Sequence, residues 1–245
     1  RVLTTAQIEG LTSAQVVALE TADLAALKTE QIAAIDATDL ALITTAQLDA
    51  LTSVQIAALT TEQIVKLTTE QVASIATAQL QKLTTEQIAA MQGADVAALT
   101  TDQVQALTTA QMKALTTAQI VALTTSQFVA VQTEDLAVLS TAQIAALQAS
   151  DLAALSTAQI VALTSAQVAA LTTSQVVALT TAQVAALETA DVAALGTAQI
   201  QAMQISDVAA LTTAQIVALS TAQVQALTTA QVSGLTTAQV EALET

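Results

Sequence analysis

Large apolar residues occupy two positions of an eight-residue unit that repeats from Leu3 to Thr245 without an insertion or a deletion. Aligned on its leucine, the unit reads Leu-Thr-Thr-Ala-Gln-(Ile/Val)-x-Ala. Position 1 is always Leu, Ile, Met or Val, and position 6 is always Ile, Val, Leu, Met or Phe. Position 8 is nearly always a small residue, whereas position 7 varies freely. A short period kept without interruption is typical of solenoids, in which each repeat packs against its neighbours.

Positions 2 to 5 carry a signal for the start of a helix, as in Thr100 to Gln103. In a capping box, the hydroxyl of an N-cap Thr accepts a hydrogen bond from the N3 amide, and the N3 Gln side chain accepts one from the N-cap amide. Positions 1 and 6 then form the hydrophobic staple that flanks the cap. Because the same register holds through most of the chain, we predict one short helix per octad. It should begin at position 2 or 3, with positions 1 and 6 buried and position 7 exposed.

Two other architectures compete with this prediction. In one continuous helix, eight residues would advance the apolar stripe by about 80° per unit, so no single partner could cover it. In a β-solenoid, positions 1 and 6 would lie on opposite faces of a strand, and Ala and Gln are poor strand formers. We therefore predict an all-α solenoid of very short capped helices, with a β-solenoid as the alternative. Residues 1–245 are predicted to form a single repeat array that is part of a longer repeat protein.

Position 5 reveals a second, longer period. It is Gln in 23 octads and Asp in seven, and position 2 is never Ser or Thr in the Asp octads. In the Gln octads, position 2 is Ser or Thr except at Lys28, Ala76 and Gly196, so the two positions vary together and are expected to be in contact. The Asp residues are Asp23, Asp39, Asp95, Asp135, Asp151, Asp191 and Asp207. Four of these are 56 residues apart, which indicates a super-repeat of seven octads. Gene duplication and a whole number of superhelical turns both explain this length.

Composition restricts the functional classes. The formal net charge is −15 with only five Lys and Arg residues, which disfavours nucleic acid and anionic membrane surfaces as partners. Thr and Gln interrupt every octad, so no apolar run has the length of a membrane span. His and Cys are absent, and the four glycines are isolated, so we expect no catalytic residues, no bound cofactor and no enzymatic activity.

Two candidate binding features remain. Acidic pairs such as Glu188 and Asp191 offer carboxylates to Ca²⁺, but most Asp octads have Gln at position 2 and too few oxygen ligands. We therefore expect these aspartates to cap helices, and we predict no metal site. Thr at position 3, as in Thr101, is not needed for the cap. If it faces solvent, the repeat produces rows of threonine that could contact ice, a mineral or a glycan.

The Leu-Thr-Thr-Ala-Gln-Ile-x-Ala octads resemble repeat tracts of very large bacterial secreted or surface proteins with adhesin-like architecture. The resemblance implies an extracellular or cell-surface location and a role as a spacer, stalk or filament. We therefore expect a structural protein that forms an extended rod and associates with copies of itself. The alternative is a module that binds a surface or a ligand through its threonine rows.

Overall fold

The computed structural model describes residues 3–243, and every element within that range is a short helix of four to seven residues. The chain divides into two compact units, Arg1–Leu123 and Thr124–Thr245. No strand occurs among the described residues. The prediction of an all-α repeat solenoid is confirmed, and the β-solenoid alternative is wrong.

The first unit contains fifteen helices within its described residues. They are α1 (Thr5–Glu9), α2 (Ser13–Val17), α3 (Thr21–Ala26), α4 (Thr29–Ala33), α5 (Ala37–Leu40), α6 (Thr45–Asp49), α7 (Ser53–Ala57), α8 (Thr61–Lys66), α9 (Thr69–Ser74), α10 (Thr77–Leu80), α11 (Thr85–Ala90), α12 (Gly93–Ala98), α13 (Thr101–Ala106), α14 (Thr109–Ala114) and α15 (Thr117–Ala122).

The second unit contains fifteen helices in the part of it that the structure describes. They are α16 (Thr125–Val129), α17 (Thr133–Ala137), α18 (Thr141–Ala146), α19 (Ala149–Ala154), α20 (Thr157–Val161), α21 (Ser165–Ala169), α22 (Thr173–Ala178), α23 (Thr181–Ala186), α24 (Thr189–Ala194), α25 (Thr197–Ala202), α26 (Ile205–Ala210), α27 (Thr213–Val217), α28 (Thr221–Ala226), α29 (Thr229–Ser233) and α30 (Thr237–Leu243).

Every helix begins at position 3 of its octad, as the capping pattern predicts. Around α14, the N-cap Thr108 has φ −73° and ψ 155°, and Leu115 after the helix has φ −56° and ψ 134°. Two consecutive extended residues, at positions 1 and 2, therefore separate one helix from the next. No described residue has a positive φ, so the chain changes direction at every octad without requiring glycine.

Burial follows the octad register. From Ile8 to Ile216, position 6 is at most 2% exposed, and from Ile35 to Leu219, position 1 is at most 8% exposed. Position 7 is exposed or half-buried, as at Val121. The predicted core and solvent positions are thus confirmed. The sequence pattern did not predict that position 5 is buried as well.

Within each unit, a helix packs against the helix three elements further along the chain. Examples are α5 with α8 and α12 with α15 in the first unit, and α19 with α22 in the second. Hydrogen bonds from position 5 join residues 28 to 31 apart, as from Gln111 to Leu83 and Leu80. A superhelical turn therefore takes about 28 residues, or about three and a half octads. The 56-residue super-repeat corresponds to about two such turns, in agreement with the structural explanation of its length.

Candidate functional site

The most regular feature of the molecule is a ladder of buried glutamine side chains at position 5. Gln111 is 2% exposed although its side chain carries a carboxamide with two N–H donors and one oxygen. A buried polar group of this kind is costly unless it is hydrogen-bonded. The surroundings of Gln111 show how each group is satisfied.

The oxygen of the carboxamide completes the capping box. Gln111 Oε1 accepts a hydrogen bond from the Thr108 backbone N–H at 2.9 Å, and Thr108 Oγ1 accepts one from the Gln111 backbone N–H at 3.3 Å. These bonds satisfy two of the amide groups that the first turn of a helix leaves without partners. The predicted capping box is therefore present, with Thr at the N-cap and Gln at N3.

The nitrogen of the same carboxamide joins the helix to the preceding superhelical turn. Gln111 Nε2 donates to the carbonyl oxygens of Leu80 and Leu83, both at 2.8 Å. Leu83 stands at position 1, immediately after the end of α10, where carbonyl groups have no donor within their own helix. One side chain thus satisfies a backbone amide at the start of its own helix and carbonyl groups at the end of another.

This bond recurs through both units. Nε2 of position 5 donates to the position 1 carbonyl 28 residues earlier at 2.5 to 2.9 Å in eighteen octads. The donors are Gln47, Gln55, Gln63, Gln71, Gln79, Gln87, Gln103, Gln111, Gln119, Gln159, Gln167, Gln175, Gln183, Gln199, Gln215, Gln223, Gln231 and Gln239. We call this set the glutamine ladder.

The capping interpretation of the sequence accounted for only half of this role. Its neglected signal is that position 5 is never Glu, although Glu serves a capping box as well as Gln does. A carboxylate at this position would accept the N-cap bond but could not donate to the preceding turn. The strict choice of Gln therefore reflects the need for a donor.

Three octads isolate the two halves of the capping box. Lys28, Ala76 and Gly196 have no side-chain acceptor at position 2, so the N3 amide lacks that partner. The backbone N–H groups of these residues still donate to Oε1 of the following Gln, at 2.7, 3.1 and 2.5 Å respectively. The glutamine half of the box persists without the threonine half.

Comparison with known families identifies the repeat. A family model described as the ALTTAQ repeat matches the chain in tandem, and its matches together cover most of the 245 residues. The matched ranges are 16–53, 32–69, 72–109, 88–125, 104–133, 144–181, 184–221 and 213–245. The chain belongs to the ALTTAQ repeat family. A search of curated proteins found no match to it.

The letters of the family name correspond to position 8 followed by positions 1 to 5 of the octad. The motif therefore ends on the glutamine of the ladder and contains the N-cap threonine. This finding confirms the octapeptide repeat that the sequence predicts, while the adhesin context of the resemblance stays a prediction. In this ALTTAQ array, the signature residues are those that join one turn to the next.

Aspartate at position 5 divides the two tasks of glutamine between two residues. In α12, Asp95 Oδ2 accepts from the backbone N–H of Gln92 at 3.0 Å, which replaces one half of the capping box. Gln92 Nε2 donates to the Val65 carbonyl in the preceding turn at 2.8 Å. In the second unit, Gln204 Nε2 likewise donates to the Val177 carbonyl at 2.9 Å. These contacts explain why positions 2 and 5 vary together in octads such as these.

The second carboxylate oxygen is satisfied unevenly among these octads. Asp151 Oδ1 accepts from the Thr125 hydroxyl at 2.6 Å, and Asp191 Oδ1 accepts from the Ser165 hydroxyl at 2.7 Å. Asp207 Oδ2 is buried and has no hydrogen-bond partner. Burial raises the pKa of Asp207 and of Asp95 above the usual range of an aspartate, because the charged carboxylate is removed from water.

The acidic pairs considered for Ca²⁺ are engaged with donors of the protein. Asp36 is exposed, and its Oδ1 accepts from the Thr38 backbone N–H at 2.8 Å and from the Thr38 hydroxyl. These hydrogen bonds lower the pKa of Asp36. Asp191 is 2% exposed and binds both Ser165 and the Glu188 backbone N–H. Within residues 3–243, no group of three or more His, Cys, Asp or Glu residues is placed to hold a metal ion.

The solvent face of the ALTTAQ array consists mainly of positions 2, 3 and 4. Thr101, Thr109, Thr117 and Thr125 at position 3 are exposed, so the threonine rows considered from the sequence lie at the surface. None of the helices formed by the described residues is long and apolar enough to cross a membrane. The surface therefore offers regularly spaced hydroxyl groups, with scattered acidic side chains such as Asp102.

Proposed function

We propose that this ALTTAQ array is a structural element, an extended rod or stalk that holds other parts of a protein at a distance, and that it is not an enzyme. The glutamine ladder carries the proposal. Within each unit, every turn is joined to the preceding one by the same carboxamide bonds and by the same buried apolar positions. Stability that comes from contacts between neighbouring turns allows an array to lengthen without a new core.

We also propose that the array works outside the cell. The support is the resemblance of its octads to repeat tracts of large bacterial secreted or surface proteins. The acidic charge of −15 is compatible with this role, because like-charged arrays resist non-specific clumping. Fractionation of cells that express the intact parent protein, followed by surface protease treatment, tests the location. Protection of the array in intact cells would contradict it.

Electron microscopy of the purified, dilute 245-residue chain tests the proposed shape. An extended spacer should appear as particles much longer than they are wide, with a narrow distribution of lengths. Small-angle scattering in solution should give a radius of gyration above the value of about 18 Å expected for a globular chain of this length. Compact particles in both measurements would contradict the structural role.

A second function is supported by one specific observation, the exposure of the position 3 hydroxyl groups. A regular hydroxyl surface suits binding to an ordered solid or to a glycan. Replacement of Thr101, Thr109 and Thr117 by Ala removes three of these hydroxyls from consecutive octads. An ice-recrystallisation or glycan-binding assay should lose activity in this variant if the surface binds. Equal binding by the variant and the wild-type chain would exclude this row as the contact.

A further inference from the structure

The first superhelical turn of the array presents donors of the glutamine ladder without their acceptors. Gln7 and Gln15 are exposed, whereas Gln111 is buried. Their Oε1 atoms accept from the backbone N–H groups of Thr4 and Thr12, both at 2.9 Å, so the carboxamides are already held in the ladder orientation. Among the described residues, Nε2 of neither glutamine donates to a carbonyl of another turn.

The last turn presents the complementary acceptors. The final bond of the ladder runs from Gln239 to the Leu211 carbonyl, so within residues 3–243 the later position 1 carbonyls, at Leu227 and Leu235, receive no ladder bond. Position 6 is also uncovered here, since Val232 is 48% exposed and Val240 is 43% exposed. This face therefore combines carbonyl acceptors with apolar side chains that are buried in the interior of the array.

A groove marks the same end of the second unit. It has a volume of about 430 Å³ and is lined by residues that include Ile216, Leu219, Val224 and Leu243. Ile216 and Leu219 stand at positions 6 and 1, which inner octads cover with the next turn. Apolar residues of the kind found in the first turn, such as the half-buried Leu11 and Leu19, match this lining in character.

Charge and hydrogen-bond polarity both favour one orientation of a partner. The first turn carries Glu9, Glu20 and Asp23, whereas Glu241 is the single charged residue among residues 208–243. Two first turns facing each other would bring acidic groups together and leave amide donors without carbonyls. Two last turns would oppose carbonyl to carbonyl. Only the first turn against the last turn pairs donors with acceptors and avoids strong repulsion.

We propose that a second copy of this chain docks head to tail on the array, with its Gln7 and Gln15 donating Nε2 hydrogen bonds to the carbonyl oxygens of Leu227 and Leu235. Continuing the octad register past Leu243 places these glutamines one superhelical turn after those leucines, the spacing found inside both units. The contact deepens the proposed structural role and rests on it. Because the two surfaces differ, each added copy exposes a new acceptor face and the assembly stays open.

The test uses a substitution that separates the two halves of the glutamine. The double variant Gln7→Glu and Gln15→Glu keeps the acceptor for the N-cap amide and removes the donor. The matched control, Gln105→Glu and Gln201→Glu, makes the same change of charge at exposed position 7. Sedimentation velocity over a concentration series in high salt should show growth of the wild-type chain and of the control. Association of the Gln7/Gln15 variant should be weaker by at least about tenfold, with an unchanged circular dichroism spectrum.

A mixing experiment tests the polarity of the contact. The variant Val232→Asp and Val240→Asp blocks the acceptor face and leaves the donor face intact. Mixed in equal amounts with the Gln7/Gln15 variant, it should form dimers and nothing larger, since each partner keeps one working face. Strictly monomeric wild-type chain, equal association of the Gln7/Gln15 variant and the control, or absence of dimers in the mixture would each overturn the proposal. A monomer that is still extended would leave the spacer role intact.

Discussion

Two neighbouring octads of the second unit, one with Gln215 and one with Asp207 at position 5, solve the same structural problem with different side chains. Gln215 Oε1 accepts from the Thr212 backbone N–H at 2.7 Å, and its Nε2 donates to the Leu187 carbonyl at 2.7 Å. Asp207 has no donor in its ionised form and leaves Oδ2 buried without a partner. The bond to the preceding turn comes instead from Gln204 at position 2.

The comparison shows that position 5 has to satisfy two demands, an acceptor for its own N-cap and a donor for the preceding turn. Glutamine meets both through one planar group. An aspartate octad distributes them over two side chains and retains a buried carboxylate with a raised pKa. A glutamine octad should therefore contribute more to stability than an aspartate octad, and the following predictions test that difference from the largest expected effect to the smallest.

Replacement of Gln111 by Glu should have the largest effect. The carboxylate keeps the N-cap acceptor but faces the Leu80 and Leu83 carbonyls without a donor. We expect a loss of about 3 kcal/mol or more at pH 7, because an unpaired buried charge costs more than a missing neutral bond. Chemical denaturation measures the loss, and part of it should be recovered at acidic pH, where Glu is protonated and can donate.

The control for this variant is Gln105→Glu, which places the same charge at exposed position 7 of the preceding octad. Its free energy of unfolding should change by less than about 0.5 kcal/mol. Equal destabilisation by the two substitutions would mean that overall charge, and not the ladder bond, decides the outcome.

The threonine half of the capping box should contribute less. Thr108→Ala should cost about 0.5–2 kcal/mol, and its effect should not add fully to that of Gln111→Ala, since both residues act in one box. A double-mutant cycle by denaturation measures the coupling energy. Additive effects would contradict the box. The reverse substitution, Ala76→Thr, restores the missing acceptor in another octad and should stabilise the chain.

Most of the fold follows from the sequence, and the reason is local. The capping box, the staple and the fixed register are properties of eight consecutive residues, so they determine where helices begin and why Ile120 and Leu123 are buried. The turn-to-turn contacts are not local. Because every octad carries nearly the same residues, nothing in the pattern distinguishes the unit that lies 28 residues away from any other.

The number of octads per turn depends on the backbone angles at positions 1 and 2, which no residue type marks. The donor role of Gln111 was accessible in principle from the absence of Glu at position 5, but its acceptor, the Leu83 carbonyl, is a backbone group. Backbone acceptors leave no trace in a sequence. Asp207 could likewise be recognised as a variant cap, whereas its unpartnered oxygen depends on the packing of the preceding turn.

Asp207→Asn should stabilise the chain slightly at neutral pH, by about 1 kcal/mol, because a neutral amide avoids burial of a charge. The pKa of Asp207 is raised in the folded state, so its folded form is favoured when protonated, and that stability is lost as the pH rises through the folded pKa. The advantage of Asn should therefore shrink as the pH falls toward 3.8, the ordinary value. Thermal denaturation at several pH values measures this, with the exposed Asp102→Asn as control. An advantage that grew toward acidic pH would contradict the assignment.

Calcium should have the smallest effect, close to none. The carboxylate oxygens of Asp191 already accept from Ser165 and from the Glu188 backbone, and Ca²⁺ requires six to eight oxygen ligands. Within the described residues, no cluster of acidic side chains supplies them. The melting temperature of the chain should thus be the same with a chelator and with millimolar Ca²⁺. Mg²⁺ at the same ionic strength controls for general screening of the acidic surface. A rise of several degrees with Ca²⁺ and not with Mg²⁺ would show that the aspartate octads bind the ion, and Asp191→Asn should then abolish that rise.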